Sequence, residues 1–345
     1  MLENAPRFPA EWEPQSAVLI AWPHAETDWA DRLGEVEETY IALVAAITRF
    51  QPVVVVVADA DVETYAEMRL RSNRIDMDRV RFVEAPYDDT WLRDSGPITL
   101  RRASGFHLLD FRFTGWGGKF DAARDDALVS ALQDLGLFVR SQRQVVDFAL
   151  EGGAIDTDGQ GTLLTTWQCL HERHPGLDRD TLSARLADWL AQDRVLWLDH
   201  GYLEGDDTDA HVDTLARFAA VDAIVYQACD DPTDSHHAEL TAMGEELAAL
   251  RTRDGQPYRL FPLPWARPVI DDGRRLAASY ANFLIINGAV LMPAYGDPAD
   301  AEAAEVLARA FPDREIVPLP CRPLIWQNGS LHCITMQLPD GLVAA

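Results

Sequence analysis

Short apolar runs alternate along this chain with longer amphipathic ones, and that alternation limits the fold more than any other property. Ala17-Val18-Leu19-Ile20-Ala21-Trp22 reads as a buried strand by its length and by the Pro23 that closes it. Apolar residues at Val36, Tyr40, Leu43, Val44 and Ile47 recur at helical spacing, so residues 35–50 read as an amphipathic helix. Pro52-Val53-Val54-Val55-Val56-Val57-Ala58 is a β-branched, buried strand. A second helix is expected over 61–72, and Arg81-Phe82-Val83-Glu84-Ala85 makes a short strand before Pro86. Strand, helix, strand, helix, strand is an α/β beginning.

The same order returns down the chain. Strand-like 106–113 precedes a helical 125–135 and a strand-like 138–146; strand 162–166 precedes helix 179–191 and strand 195–198. Strand 223–226, helix 235–250 and strand 258–263 follow, and residues 281–292, helix 300–310 and strand 315–319 complete the last round. A unit recurring every 50 to 80 residues or so suggests internal repetition, such as blades around an axis. No stretch between units looks like a flexible linker, so residues 1–345 are read as one domain. A doubly wound sheet is the alternative; no GxGxxG opens any of these helices, which removes the commonest reason to expect a dinucleotide fold.

The chain carries 56 acidic against 30 basic residues, a net charge of −26. Such a field repels nucleic acid and anionic membrane and draws in small cations, although acidic surface also serves solubility alone. Cys169, Cys229, Cys321 and Cys333 are scattered, with no CxxC pair, and Met1-Leu2-Glu3-Asn4-Ala5-Pro6-Arg7 lacks a secretory apolar core, which points to a reducing, cytoplasmic compartment. No apolar run approaches the roughly 20 residues of a membrane span. His236 and His237 are adjacent and diverge on a regular element, so no metal-ligand spacing emerges and neither metal nor organic cofactor is expected.

Four polar clusters interrupt the apolar pattern. Asp88-Asp89-Thr90-Trp91-Leu92-Arg93-Asp94-Ser95-Gly96-Pro97 sets three carboxylates and an arginine beside an indole; Leu150-Glu151-Gly152-Gly153 puts one carboxylate before two glycines, where the backbone can bend sharply and a ligand can come close. Gly205-Asp206-Asp207-Thr208-Asp209-Ala210-His211-Val212-Asp213 is the third. On an extended strand His211 and Asp213 would share a face, a base beside a carboxylate; a helix capped by Thr208 or Asp209 over 210–219 would make them diverge. The fourth is Cys333, on an alternating Leu331 to Met336 that reads as a strand entered through the Asn328-Gly329 turn. Each has a plain structural reading: a turn at 94–97, a solvated acidic face at 88–89, a loop charge at Glu151, a small buried hydrophobe at Cys333.

Together the clusters suit one chemistry. A guanidinium is a planar fork of donors that two or three carboxylates can grip bidentately, holding its central carbon over a thiolate. The thiol needs a proton acceptor, and an imidazole supplies one. A papain-like protease also uses Cys and His, but acids crowded around the thiol would raise its pKa and repel an oxyanion.

At these residues the chain resembles the family of agmatine deiminases and bacterial (Porphyromonas-type) peptidylarginine deiminases, within the guanidine-group-modifying superfamily. The likeness runs through Ala21-Trp22-Pro23, Thr90 to Pro97, Gly115-Trp116-Gly117-Gly118-Lys119, Leu150-Glu151-Gly152-Gly153 and Thr165-Thr166-Trp167-Gln168-Cys169-Leu170. It continues through His211-Val212-Asp213, Leu215-Ala216-Arg217-Phe218, Ser279-Tyr280-Ala281-Asn282-Phe283, Tyr295-Gly296-Asp297-Pro298 and Leu331-His332-Cys333-Ile334-Thr335. The resemblance implies a five-bladed α/β propeller of ββαβ modules with pseudo-fivefold symmetry, the pentein fold. It implies Cys333 as nucleophile, His211 as general acid and base, and Asp94, Glu151 and Asp213 as carboxylates gripping the guanidinium. Trp91 matches an indole lining the substrate channel, and Asp207 stands where that family places a carboxylate, usually glutamate, for a distal ammonium. Two departures concern the substrate's tail: Gln327-Asn328-Gly329-Ser330-Leu331 replaces a triple glycine and asparagine, and Glu172-Arg173-His174-Pro175 replaces Asn-Arg-Asn-Pro.

The expected activity is therefore hydrolysis of agmatine to N-carbamoylputrescine and ammonia, in putrescine and polyamine metabolism. Peptidyl-arginine or free arginine is the alternative substrate, and a non-catalytic binder of cationic ligands is the alternative of another class. The partner is a small guanidino cation, with no nucleic acid and no membrane; the reading allows a homo-oligomer.

Overall fold

The computed structural model describes residues 5–344; Met1–Asn4, on which part of the reading of the N-terminus rests, and Ala345 lie outside them. Contacts group the described residues into two compact bodies, one of residues 5–6, 13–152 and 332–344, the other of residues 7–12 and 153–331.

In the first body, β1 (Gln15–Ala21) leads through α1 (Leu33–Thr48) to β2 (Val53–Val57), and α2 (Ala60–Ser72) leads to β3 (Val80–Glu84). The three strands are parallel, Val18 opposite Val53 and Val53 opposite Val80. β2 is buried on both faces, which its unbroken run of five valines requires of a central parallel strand. Asp59 starts α2 by accepting the Asp61 and Val62 amides, 2.9 and 2.8 Å away. After the one-turn helix α3 (Leu92–Ser95), the hairpin β4 (Ile98–Arg102) and β5 (Gly105–Arg112) is followed by the turn α4 (Gly115–Gly118), α5 (Ala123–Asp134) and β6 (Ser141–Ala149), which lies parallel to β5.

The second body repeats that unit. β7 (Ile155–Thr157) and β8 (Thr162–Thr166) form a hairpin; α6 (Trp167–Arg173) and α7 (Arg179–Leu190) carry the chain to the parallel β9 (Arg194–Leu198). Hairpin β10 (Ala216–Ala220) and β11 (Ala223–Gln227), helix α8 (His237–Ala249) and β12 (Arg259–Leu263) repeat it. After the small ribbon β13 (Val269–Asp271) and β14 (Arg274–Leu276), the hairpin β15 (Leu284–Ile286) and β16 (Ala289–Ala294), α9 (Ala299–Ala310) and β17 (Glu315–Pro320) repeat it again. The last strand, β18 (Met336–Pro339), returns to the first body and pairs antiparallel with β1, Met336 opposite Leu19. The first module thus borrows its hairpin strand from the C-terminus, and the described residues hold five ββαβ modules, each with an antiparallel pair extended by a parallel strand.

Each body has its own core. Leu19, Val54, Val56, Leu92, Leu108, Leu132, Met336 and Leu338 belong to that of the first. Leu164, Leu198, Val212, Leu215, Phe218, Ile224, Met243 and Leu247 belong to that of the second. In the second body the guanidinium of Arg217, on β10, is fully buried between the carboxylates of Glu11 and Asp156 at 3.0 and 3.2 Å. Asp156 also accepts the Phe218 amide at 2.7 Å, which locks β10 to the edge of the neighbouring module. No helix of the described residues is long and apolar enough to cross a membrane.

Three local expectations change. The stretch around Cys333 is not a strand: residues 331–334 form turns, and β18 starts at Met336. His211 and Asp213 lie neither on a strand nor on a helix over 210–219, because residues 212–214 form a single 3-10 turn that hands directly to β10. The strand expected from residue 138 begins at Ser141, since the left-handed Arg140 turns the chain first.

Candidate active site

In the first body the expected site residues gather around Arg93. Its amide donates to the carbonyl of Cys333 at 3.1 Å, its Nε to the carbonyl of His332 at 3.4 Å, and its Nη1 to Gln337 Oε1 at 2.7 Å. The turn bearing the thiol is therefore clamped to α3, which carries Asp94. Glu151 is brought to the same place by the residue that follows it: a Cβ on Gly152 would lie 2.2 Å from the Arg93 carbonyl oxygen. Only glycine permits this approach, which is why the carboxylate precedes a glycine. Gly96 does the same at the other end of α3, where a Cβ would come within 2.4 Å of the Leu92 carbonyl.

Asp94 is held by an indole as well. The Trp116 Nε1–H donates to Asp94 Oδ2 at 2.9 Å. Trp116 reaches it because α4 is not a regular turn: Trp116 and Gly117 have left-handed φ values of 56° and 87°, and Thr114 Oγ1 accepts the Gly117 amide at 3.0 Å. Phe113 and Phe120 stand edge-on to the indole at 5.1 and 5.4 Å. Trp91 packs on Trp29 at 5.5 Å, and Trp29 Nε1–H is anchored on Thr90 Oγ1 at 2.9 Å. Glu151 is fully buried, and Trp91, Asp94 and Cys333 are buried almost as completely, keeping 6%, 5% and 4% of their surface exposed.

The loop leading into α3 is itself under acid control. Asp125 on α5 accepts the amides of Asp88 and Asp89, the former at 2.8 Å. Burial pushes Asp125 up to about 7, and burial likewise pushes Asp89 up to about 7.

The second body holds the other expected residues. His211 and Asp213 are fully buried. The His211 amide donates to Thr208 Oγ1 at 3.2 Å, Asn282 Nδ2 donates to the Asp213 carbonyl at 3.3 Å, and Ser279 Oγ to the Thr214 carbonyl at 2.6 Å. Asp207 is the partner of a residue from one of the departing segments: Asn328 Nδ2 donates to Asp207 Oδ2 at 2.8 Å, while Arg274 donates to Asn328 Oδ1 at 2.7 Å. Asn328 can present its amide there because it ends its 3-10 turn in the left-handed region, at φ 72°.

All four cysteines are thiols. Burial pushes the Cys229 and Cys321 thiols up, which makes both poor nucleophiles.

The sequence reading did not single out Trp116, Asn328 and Arg173 as working parts. Trp116, Arg173 and Asn328 all lie inside quoted motifs, and the glycines around Trp116 are a signal that its backbone is special.

A profile of the Porphyromonas-type peptidyl-arginine deiminase family matches residues 7–339. The chain belongs to this family. The agmatine deiminase of Stutzerimonas stutzeri is 35% identical over 97% of this chain and 96% of that protein. The crystal structure of a putative arginine deiminase from Porphyromonas gingivalis superposes with a TM-score of 0.90 at 46% identity, covering 99% of this chain and all of that one. A Cys-to-Ser variant of the C. jejuni agmatine deiminase with substrate bound gives 0.91 at 33% identity, covering 99% and 98%. The fold class is the pentein α/β fold that the family resemblance implied, as in these relatives.

Proposed function

We propose that this protein is a hydrolase of linear amidines that converts agmatine and water to N-carbamoylputrescine and ammonia, with residues 1–345 acting as one cytoplasmic catalytic domain and neither metal nor cofactor taking part. The observation that carries the reading is the clamp of the Cys333 turn onto Arg93, which fixes a thiol beside the element bearing the indole-anchored Asp94. The agmatine deiminase relatives supply the substrate.

In the first half-reaction the Cys333 thiolate forms a bond to the guanidinium carbon, His211 protonates the departing nitrogen, and ammonia leaves an amidino-thioether. In the second, His211 takes one proton from water as its oxygen attacks the same carbon, the C–S bond breaks to release the thiolate, and the remaining hydroxyl proton passes to solvent as the urea-like carbonyl forms. Asp94, Glu151 and Asp213 grip the guanidinium nitrogens as charge-assisted acceptors, Trp91 lines the approach, and Asp207 receives the distal ammonium.

Arginine or peptidyl-arginine is the second reading, favoured by the family description and by the 46% identical P. gingivalis structure. Against it, a carboxylate at Asp207 opposes an α-carboxylate in the same place. Steady-state ammonia release from agmatine, arginine and a blocked arginine peptide separates the two; agmatine should give the highest kcat/KM. Cys333→Ser should lower kcat by about four orders of magnitude. Undiminished release by Cys333→Ser would end both readings. Haloacetamidine should alkylate Cys333 ahead of Cys169, Cys229 and Cys321, whereas a non-catalytic binder would show no such preference.

A further inference from the structure

The two residues immediately before His211, Asp209 and Ala210, are both left-handed, with φ 65° and 67°. Neither is glycine, and successive non-glycine residues in this region are uncommon. They persist only where the surroundings over-determine them. Here the surroundings do so from three sides. Asp206 accepts the Thr208 amide, the Thr208 hydroxyl and the Ala210 amide at 3.1, 2.6 and 2.8 Å. Thr166, at the end of β8, donates its hydroxyl to the Ala210 carbonyl at 2.7 Å. Arg173, the last residue of α6, has a side chain only 1% exposed and spans the loop, donating to Asp209 Oδ2 at 2.6 Å and to the Thr208 carbonyl at 3.0 Å.

We propose that Arg173 and the left-handed Asp209-Ala210 pair form a positioning device for the His211 imidazole. The proposal rests on the reading of His211 as the proton carrier. An ion pair whose carboxylate keeps 22% of its side-chain surface exposed is a weak source of stability, so what the buried guanidinium adds here is geometry: its rigid fork pins a carboxylate and a carbonyl at fixed separation. Left-handed backbone at Ala210 sets the direction in which the chain enters His211, and relaxation to right-handed values would redirect the imidazole. Arg173 touches no reacting atom in this account; it acts through His211.

Ala210→Gly removes the steric penalty at that φ while releasing the direction it enforces. The thermal midpoint should stay level or rise, yet kcat for agmatine should fall about tenfold with KM little changed, since small misplacements of a reacting group are costly. Arg173→Ala should lower kcat by about a hundredfold and displace the limb of the kcat pH profile that reports the imidazole, and Arg173→Lys, which keeps the charge but not the fork, should fall between. A readout independent of turnover is the ring resonance of His211 in labelled protein: its shift and titration midpoint should move in all three variants. Unchanged His211 resonances in folded variants, or losses of activity that simply track losses of stability, would overturn the proposal. If wild-type protein releases no ammonia from any guanidino compound, the proposed function fails while the resonance shifts still decide the positioning claim.

Discussion

At the scale of single residues, the site proposed for the substrate's tail is the sharpest question. Asp207, shorter by a methylene than the usual glutamate, is tied to Asn328, which Arg274 holds in turn. Asn328 therefore fixes the shorter carboxylate in place of the reach that a glutamate would have. Replacing Asp207→Asn removes the charge but keeps an acceptor, and should raise KM for agmatine about tenfold or more with little change in kcat, the loss expected for one charge-assisted hydrogen bond. Arginine turnover should change less, and the ratio of the two kcat/KM values measures it. The residues proposed to carry chemistry were conspicuous because their types are unusual in their settings: a glutamate before paired glycines, an acid run ending in His-Val-Asp, a thiol late in the chain. Trp116 and Arg173 were not, because the bonds that matter link residues 22 and 36 positions apart, and local pattern carries no trace of such pairings.

Elements were legible where period and length agreed. The valine run of β2, the helical spacing of α1 and the repeated strand, helix, strand order are all found, because burial on a sheet face or helix stripe writes itself into every second or every third to fourth residue. Two of the misread segments are turns with alternating side chains, at 331–335 and 211–213, and the third is the left-handed turn at Arg140 that delays β6 to Ser141. The loop between β3 and α3 offers a test at this scale. Asp125 and Asp89 are both held up near 7 by burial, so the folded protein binds protons that the unfolded chain has already released between about pH 4 and 7. Their contribution is harmless below the unfolded carboxylate pKa and turns destabilising as pH rises through that window. Asp125→Asn retains an acceptor for the Asp88 amide and removes the titration. Relative to wild type, this variant should gain about 1 to 2 kcal/mol in denaturant midpoint stability between pH 5 and 8. A difference that does not vary with pH would show that Asp125 is ionised throughout.

For the molecule as a whole, charge and closure matter most. The C-terminal β18 completes the sheet that begins at β1, so removing the residues after Thr335 should expose Leu19 and its neighbours and abolish cooperative unfolding of the first body. The net charge of −26 should draw a dicationic substrate more strongly than a monocationic one. Raising NaCl from about 10 to about 300 mM should therefore lower kcat/KM several-fold for agmatine and less for arginine. Most directly at issue is whether Cys333 bonds to the guanidino carbon. Wild-type protein mixed with agmatine, quenched in acid within a turnover and analysed by intact and peptide mass spectrometry should carry an adduct with the mass of agmatine less ammonia on Cys333. An adduct confined to Cys169, Cys229 or Cys321, or ammonia released at the wild-type rate by Cys333→Ala, would contradict the account.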